Sequence, residues 1–177
     1  RLQPLKDIDQ PAEASFAADW LAGLIAGEGV SLTPELKARL WKGLTSLASA
    51  PQSERTLTGL VLLLQDEVLK TALHPFTLAG PHGQLLDGDE EDLALASVTC
   101  FEMEELMQQG AAATAVLTYL FHRLEARFDG RPTLLMLDEA WLFLDAPVFA
   151  ARLRDWLKTL RKKNVAVVFA KIGRAHV

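Results

Sequence analysis

Two adjacent carboxylates, Asp138 and Glu139, directly follow an uninterrupted apolar run from Thr133 to Leu137. Such a run predicts a parallel strand that is covered on both faces. The residue after it then lies at the carboxyl edge of the sheet, where open α/β folds bind their ligands. A carboxylate there can hold Mg²⁺ through a coordinated water, and a second one can polarise an attacking water. The pair therefore predicts phosphoryl transfer, with Asp138 as the metal-holding residue and Glu139 as the catalytic one.

The elements that follow the carboxylate pair support this interpretation. The amphipathic segment 147–163 predicts a helix, and the apolar segment 165–170 predicts a second strand. Strand, helix and strand form a βαβ unit with a parallel pair. The alternative is an ordinary buried strand whose Asp138 caps the next turn. No Gly-x-x-x-x-Gly-Lys-Ser/Thr loop occurs in the 177 residues, so the phosphates of ATP would have no backbone cradle and no lysine. We therefore expect this chain not to hydrolyse ATP by itself.

Arg161 is the third candidate site residue. It lies near the carboxyl end of the predicted helix and is followed by Lys162 and Lys163. An arginine in this place can bind the phosphates of a nucleotide or reach a neighbouring subunit. The alternative is a solvated basic turn that complements the helix dipole.

The first part of the chain predicts a small helical bundle over residues 9–76. Pro11 suits the first position of a helix, and Thr33 before Pro34 is a typical N-cap. A third helical stretch is predicted from Thr56 to Leu73, because apolar residues recur there at helical spacing.

The segment 77–92 is rich in turn-forming residues and ends in the acidic run 87–92. Its spacing lacks the ordered ligands of a calcium loop, so a solvated turn is expected here rather than a cation site. After this boundary the pattern becomes α/β, with a strand predicted at 96–101 and a helix at 111–128.

Composition bounds the class of protein. Half of the residues are hydrophobic and 23% are charged, which indicates a globular chain with a core. The net charge of −5 argues against a generally basic nucleic-acid-binding surface, but it leaves room for a local basic patch. The single cysteine, Cys100, is expected to be a small buried thiol on the strand 96–101. No run approaches the ~20 apolar residues of a membrane span.

Five segments of the sequence resemble a known family, the TrbE-type conjugal transfer ATPases, which are motor ATPases of type IV secretion systems. The segments are Arg55–Gly59, Cys100–Leu106, Leu117–Leu124, Thr133–Leu144 and Trp156–Ala170. The resemblance covers essentially residues 1–170.

The resemblance implies an α/β fold: a partial RecA-like P-loop ATPase core with an inserted all-helical subdomain. The all-helical subdomain would occupy 9–76, and the partial core with its Walker B strand 93–170. Asp138 and Glu139 match the metal-holding and catalytic carboxylates of the family.

Two parts of the family pattern are not in this sequence. The Walker A loop would precede Arg1. A Thr-Gln pair that senses the γ-phosphate would follow Ala170, where the chain has Lys171-Ile172 instead. Residues 171–177 are expected to be a non-native tail, because Ile172–Val177 match what a common sequencing adapter encodes; a genuine basic tail is the alternative.

The family also implies cofactors, partners and a location. The cofactors would be ATP and Mg²⁺, and the parent protein would be an ATPase that assembles as a homo-hexamer. Its partners would be conjugal transfer or type IV secretion components, with DNA as an indirect partner. It would be cytoplasmic and peripheral at the inner membrane of a bacterium, held there through its partners.

Two further hypotheses belong to other classes. One is a non-catalytic interaction module of the secretion machinery, which the missing P-loop favours for this polypeptide. The other is a helicase-like ATPase unrelated to export, which the matches around Trp141 and Arg161 oppose. Trp141 itself either packs as a lid over the site or belongs to the core.

Overall fold

The computed structural model describes residues 1–103, 106, 108–138 and 147–170. Glu139, Trp141 and the tail 171–177 lie outside the described residues. The chain divides into two compact units, Arg1–Tyr119 and Leu120–Val177. The predicted domain limits, 9–76 and 93–170, stay predictions beside this division.

The first unit is helical. Its helices are α1 (Pro11–Gly27), α2 (Pro34–Leu47), α3 (Leu57–Leu63), α4 (Glu67–Leu73) and the short α5 (Gly83–Leu86), with 3₁₀ turns at Gln52–Glu54 and His74–Phe76. Helix α6 (Ala111–Arg127) begins in this unit and contains the division between the two.

Local capping explains where several of these helices begin and end. The Thr33 side chain accepts a hydrogen bond from the backbone N–H of Leu36, as predicted. Helix α1 ends before Gly29, whose φ of +79° is the left-handed conformation that favours glycine at this place. The predicted stretch from Thr56 to Leu73 is two helices, because Asp66 caps a new helix at the backbone N–H groups of Val68 and Leu69.

One apolar core holds the first unit together. Its fully buried side chains come from the helices, the 3₁₀ turn His74–Phe76 and the segment before α1, and among them are Leu5, Leu21, Ile25, Leu57, Leu60, Leu69, Leu73, Phe76 and Leu86. The indole N–H of Trp20 donates to the carbonyl of Ala115 at 2.9 Å and ties α1 to α6. The apolar run from Gly59 to Leu64 is only partly buried, since Leu62 is 79% exposed.

The predicted strand at 96–101 is wrong. The segment has no regular secondary structure, Val98 is 88% exposed, and Cys100 is exposed rather than buried. The hydroxyl of Thr99 accepts a hydrogen bond from the backbone N–H of Ala96 at 3.0 Å. Such local side-chain bonds compete with strand pairing, and β-branched residues favour a strand only where a neighbouring strand is present.

The acidic run 87–92 is also different from the prediction at two positions. Asp87 is 2% exposed and accepts hydrogen bonds from Thr58 and Leu78. The hydroxyl of Tyr119 donates to the Glu91 carboxylate. Asp89, Glu90 and Asp92 are exposed, as predicted for a solvated turn.

The second unit contains the parallel pair that the sequence predicted. Strand β1 (Thr133–Leu137) pairs with β2 (Val165–Phe169) in register from Thr133↔Val165 to Leu137↔Phe169, and α7 (Pro147–Lys162) connects them. The mixture of helices with a small parallel sheet agrees with the predicted α/β class at this level.

Helix α7 covers one face of this sheet. Its Leu153, Trp156 and Leu160 are buried, and the Trp156 ring lies 4.3 Å from that of Phe121 on α6. The Lys163 ammonium donates to the carbonyl of Glu125 at 3.0 Å and joins the ends of α6 and α7.

The other face of the sheet is open in the part of the chain that the structure describes. Leu134 and Met136 on β1 are 61% and 66% exposed, and Val168 on β2 is 42% exposed. The prediction that β1 is covered on both faces is therefore wrong for these residues. The apolar run predicts a strand, but the cover on its second face depends on further elements.

Candidate nucleotide site at the end of strand β1

Asp138 lies where the sequence predicted it. It directly follows β1, and the backbone N–H of Ala170 donates to the carbonyl of Leu137 at 3.0 Å, so the carboxyl ends of both strands are tied together beside it. Its side chain is exposed at this edge of the sheet. A parallel βαβ unit thus holds a carboxylate at the edge where open α/β folds bind ligands.

Glu139, the predicted catalytic carboxylate, lies outside the described residues. Its role stays a prediction from its place in the sequence, one residue beyond Asp138.

Arg161 lies at the other end of the sheet. It belongs to the last turn of α7, and with Pro132, Thr133 and Asn164 it lines an open cleft of ≈ 450 Å³ at the amino ends of the strands. Each strand has five residues, and at ~3.3 Å per residue the two edges are roughly 13–17 Å apart. The structure therefore does not bring Arg161 and Asp138 of one chain together.

The turn at this amino edge is built by residues that the sequence analysis did not single out. Asn164 has a φ of 60°, and its side-chain amide donates to the carbonyl of Gly130 at 3.1 Å. Its own carbonyl accepts the backbone N–H of Thr133 at 3.2 Å. An Asn directly after a basic helix end and before an apolar strand is a typical signal for such a left-handed residue.

The residues present fit a magnesium nucleotide in part. Mg²⁺ keeps several waters and needs only one or two carboxylates beside the phosphates of its nucleotide, so Asp138 suits the ion as a carboxylate that holds it through a coordinated water. Among the described residues, no group of three or more metal-ligating side chains occurs. That result excludes a dedicated all-protein cage from the described part of the chain, and it is compatible with a metal that arrives with a nucleotide.

A second polar cluster lies in the helical unit, within the segment Arg55–Gly59. The guanidinium of Arg55 donates to the carbonyls of Ala50 and Lys6 at 3.0 and 2.9 Å and to the Asp9 carboxylate at 2.6 Å. The side chain is only 13% exposed, and its partners are mostly backbone. The arginine therefore fixes the local fold and is not available to a ligand.

No protein-family model matches the chain. The curated relatives that it matches include conjugal transfer and type IV secretion proteins. It is 45% identical to a probable conjugal transfer protein TrbE of Sinorhizobium fredii and 46% identical to the conjugal transfer protein TrbE of Rhizobium radiobacter, in each case over 94% of this chain. It is 28% identical over 96% of its length to the type IV secretion system protein VirB4 of Bartonella henselae.

These matches confirm the predicted resemblance. The chain is a homologue of the TrbE-type conjugal transfer proteins, and the VirB4 proteins are its more distant relatives. It spans 25%, 20% and 22% of the length of the three relatives named, which is between a fifth and a quarter of such a protein. None of the helices that the structure describes is long and apolar enough to cross a membrane.

Proposed function

We propose that the chain is the segment carrying the Walker B motif of an ATP-hydrolysing motor for conjugal transfer through a type IV secretion system. The observation that carries the proposal is the position of Asp138, directly after a parallel strand whose neighbour is reached through a crossover helix. The similarity to TrbE proteins over 94% of the chain supports the same interpretation.

In this proposal the second unit is part of a RecA-like core, and the helices of the first unit form a subdomain inserted into it. The phosphate-binding loop and further strands of the sheet belong to other parts of the parent protein. Such strands and their helices would cover the open face at Leu134 and Met136, because parallel sheets are normally buried on both faces.

The proposed chemistry needs one metal-holding and one catalytic carboxylate. Asp138 would hold the Mg²⁺ ion that accompanies ATP through one of its coordinated waters, and the bound ion would supply neutralisation of the charge on the phosphates. Glu139 accepts a hydrogen bond from the attacking water and polarises it. Arg161 lies at the opposite edge of the sheet from Asp138. We therefore propose that it contacts a phosphate in the nucleotide site of a neighbouring subunit of a homo-hexamer.

The partners and location of the motor are part of the same proposal. It would work with other type IV secretion components at the cytoplasmic face of a bacterial inner membrane, and its membrane association would come through them. Contact with DNA would be indirect.

The decisive experiment is Glu139→Gln in the intact protein that contains this segment. Removing the general base should lower kcat for ATP by roughly 10²- to 10⁴-fold, while ATP binding is retained because Asp138 is intact. Turnover and equilibrium binding of ATP with Mg²⁺ are measured side by side. Asp129→Asn is the matched control, since it neutralises an exposed carboxylate at the amino end of β1 and should leave turnover unchanged. Wild-type turnover in Glu139→Gln would remove Glu139 from the mechanism.

A second candidate is a non-catalytic interaction module of the secretion machinery. The specific observation in its favour is that the 177 residues contain no P-loop sequence. An intact protein that binds no ATP, and whose sequence holds no Gly-rich loop ending in Gly-Lys-Ser/Thr, would establish this second function.

A further inference from the structure

A groove of ≈ 390 Å³ lies in the helical unit between the end of α1 and the beginning of α4. We call it the α1–α4 groove. Both of its sides belong to the unit Arg1–Tyr119, so one compact unit forms the whole groove. Its lining residues are Glu28 and Val30, which follow α1, and Glu67, Val68, Thr71 and Ala72 of α4.

The floor of the groove is apolar. Val68, in the first turn of α4, is 48% exposed, whereas Val30 is partly buried and Ala72 is buried. A single exposed valine would need no explanation. Here Val30 and Val68 belong to the two sides of one concave surface, so an apolar side chain placed between them would remove both from water.

The charge around this floor is negative. Glu28 is exposed at the carboxyl end of α1, where the backbone carbonyls already carry partial negative charge. The last turn of α1 contains no basic residue. Glu67 adds a second carboxylate on the α4 side. The partial positive charge at the beginning of α4 is already met by Asp66, whose carboxylate accepts hydrogen bonds from the N–H groups of Val68 and Leu69.

Little within the described chain neutralises these carboxylates. Among the described residues, the side chain of Glu28 forms no salt bridge or hydrogen bond. Glu67 pairs with Lys70 at 2.8 Å, but their side chains are 82% and 34% exposed, so the pair contributes little. A carboxylate at the carboxyl end of a helix is unfavourably placed. A cationic ligand at Glu28 would relieve this repulsion.

An apolar floor with a negative rim fits an arginine side chain well. Its aliphatic stem packs on apolar surface while its charged head stays at the edge, and its guanidinium binds carboxylates through paired hydrogen bonds. A metal ion would leave the valines uncovered, and among the described residues no group of three or more metal-ligating side chains occurs. The phosphates of a nucleic acid would be repelled by Glu28 and Glu67.

We propose that the α1–α4 groove binds a peptide segment of another protein, in which an arginine reaches Glu28 and a neighbouring apolar side chain packs between Val30 and Val68. The groove has room for one or two side chains, so the contact is small and transient. Glu28, Val30 and Val68 take no part in the proposed nucleotide chemistry. The inference can therefore fail independently of the proposed motor function.

The test measures binding of a labelled peptide to the full 177-residue chain by fluorescence anisotropy. The probe is a peptide of about 12 residues that repeats Gly-Leu-Arg-Ala, used at about 150 mM salt so that distant charges are screened. Two control peptides carry glutamine in place of each arginine or glycine in place of each leucine. They separate the contribution of the charge from that of the apolar side chain.

Three variants of the chain are compared with wild type. Glu28→Lys reverses the charge at the rim, and Val68→Ser removes apolar surface from the floor without a change in charge. Asp19→Lys is the matched control, because it changes the net charge by the same amount at an exposed residue of α1. At about 100° per residue, Asp19 lies on the side of α1 opposite to Glu28. Circular dichroism verifies the fold of each variant.

We expect wild type to bind the peptide with a Kd on the order of 10–100 μM, as suits a small contact. Glu28→Lys should weaken binding at least about tenfold, because it places like charges against each other. Val68→Ser should weaken it at least about threefold through the lost apolar contact. Asp19→Lys should stay within about twofold of wild type, and both control peptides should bind more weakly than the probe.

Two results of the peptide titration would overturn the proposal. One is the absence of binding to wild type at about 300 μM chain, a concentration above the expected Kd. The other is an equal loss of affinity in Glu28→Lys and Asp19→Lys with no effect of Val68→Ser. That pattern would mean a general attraction of the basic peptide to an acidic unit rather than binding in the groove.

Sedimentation velocity without peptide tests a second copy of the chain as the occupant. Self-association that Glu28→Lys and Val68→Ser both weaken, and that Asp19→Lys leaves unchanged, would assign the groove to that copy and overturn the proposed binding of another protein.

Discussion

Asp87 and Thr58, 29 residues apart in the chain, are joined by three hydrogen bonds. The backbone N–H of Thr58 donates to both carboxylate oxygens of Asp87 at 3.1 Å, and the Thr58 hydroxyl donates to Oδ2. The backbone N–H of Leu78 donates to the same Oδ2 at 2.8 Å. One buried carboxylate thus satisfies N–H groups of two separate segments and ties the first turn of α3 to the turn after Phe76.

This network predicts a large loss of stability in Asp87→Ala. The substitution removes the acceptor of the Thr58 N–H and one of the two acceptors of the Leu78 N–H at part-buried contacts, which costs roughly 1–3 kcal/mol. Urea unfolding followed by circular dichroism measures it. Asp89→Ala, at an exposed neighbour in the same acidic run, is the control and should change stability by less than ~0.5 kcal/mol. Equal effects of the two substitutions would show that the Asp87 network does not hold the unit together.

Asn164 gives a prediction for the second unit. Its φ of 60° is left-handed, and its side chain donates to the carbonyl of Gly130. Asn164→Ala loses this bond and strains the backbone, at a cost of roughly 1–3 kcal/mol. Asn164→Gly loses the same bond without the strain, so thermal unfolding should rank the variants as wild type, then glycine, then alanine. An alanine variant as stable as the glycine variant would contradict this account of the turn.

The cap of α4 predicts that the stability of the fold depends on pH. The backbone N–H of Leu69 holds the pKa of Asp66 below its usual value of 3.8, and Arg39 and the N–H of Val68 act in the same direction against the effect of burial. Because the folded pKa is lowered, the carboxylate stabilises the fold fully above about pH 4, and this contribution is lost as the pH falls through the folded pKa.

Asp66→Asn should therefore be less stable than wild type at neutral pH, and the difference should shrink below about pH 4. Melting temperatures of both proteins, measured at several pH values between about 2.5 and 7, give the comparison. Glu67→Gln, at the exposed neighbouring acid, is the control. A difference between Asp66→Asn and wild type that stays constant down to the lowest pH would rule out the cap as its source.

The open face of the sheet predicts the behaviour of the chain in solution. Leu134 and Met136 are 61% and 66% exposed, so Leu134→Thr/Met136→Thr should reduce aggregation without loss of stability, since threonine is a good strand former. Light scattering at rising protein concentration measures the effect. Leu135→Thr, on the covered side of the same strand, should instead destabilise the chain by about 1–3 kcal/mol. Unchanged scattering in the double variant would mean that this face does not drive aggregation.

Much of the local structure could be predicted from the sequence because its causes are local. The N-cap at Thr33, the helix Ala111–Arg127 and the order strand, helix, strand after residue 132 all follow from residue types and periodicity within a few turns of chain. The place of Asp138 at a strand end follows from the same pattern. The similarity to TrbE proteins was also readable from sequence segments.

The wrong predictions have one physical cause, which is contact between distant parts of the chain. The segment 96–101 has residues that suit a strand, but the structure gives it no strand partner among the described residues. Asp87 belongs to an acidic run that resembles a solvated turn, yet Thr58 and Leu78 draw it into the interior.

By itself, the sequence determined most of the helices, the order strand, helix, strand after residue 132, the carboxylate at the end of β1, and the relationship to the TrbE proteins. The tertiary structure decided which face of that strand is covered, which acidic residue is buried, and that Arg161 and Asp138 lie at opposite edges of the sheet. Secondary structure depends on dihedral preferences and neighbours in sequence, whereas burial and the meeting of side chains depend on which segments pack together. Residue spacing alone does not contain that information.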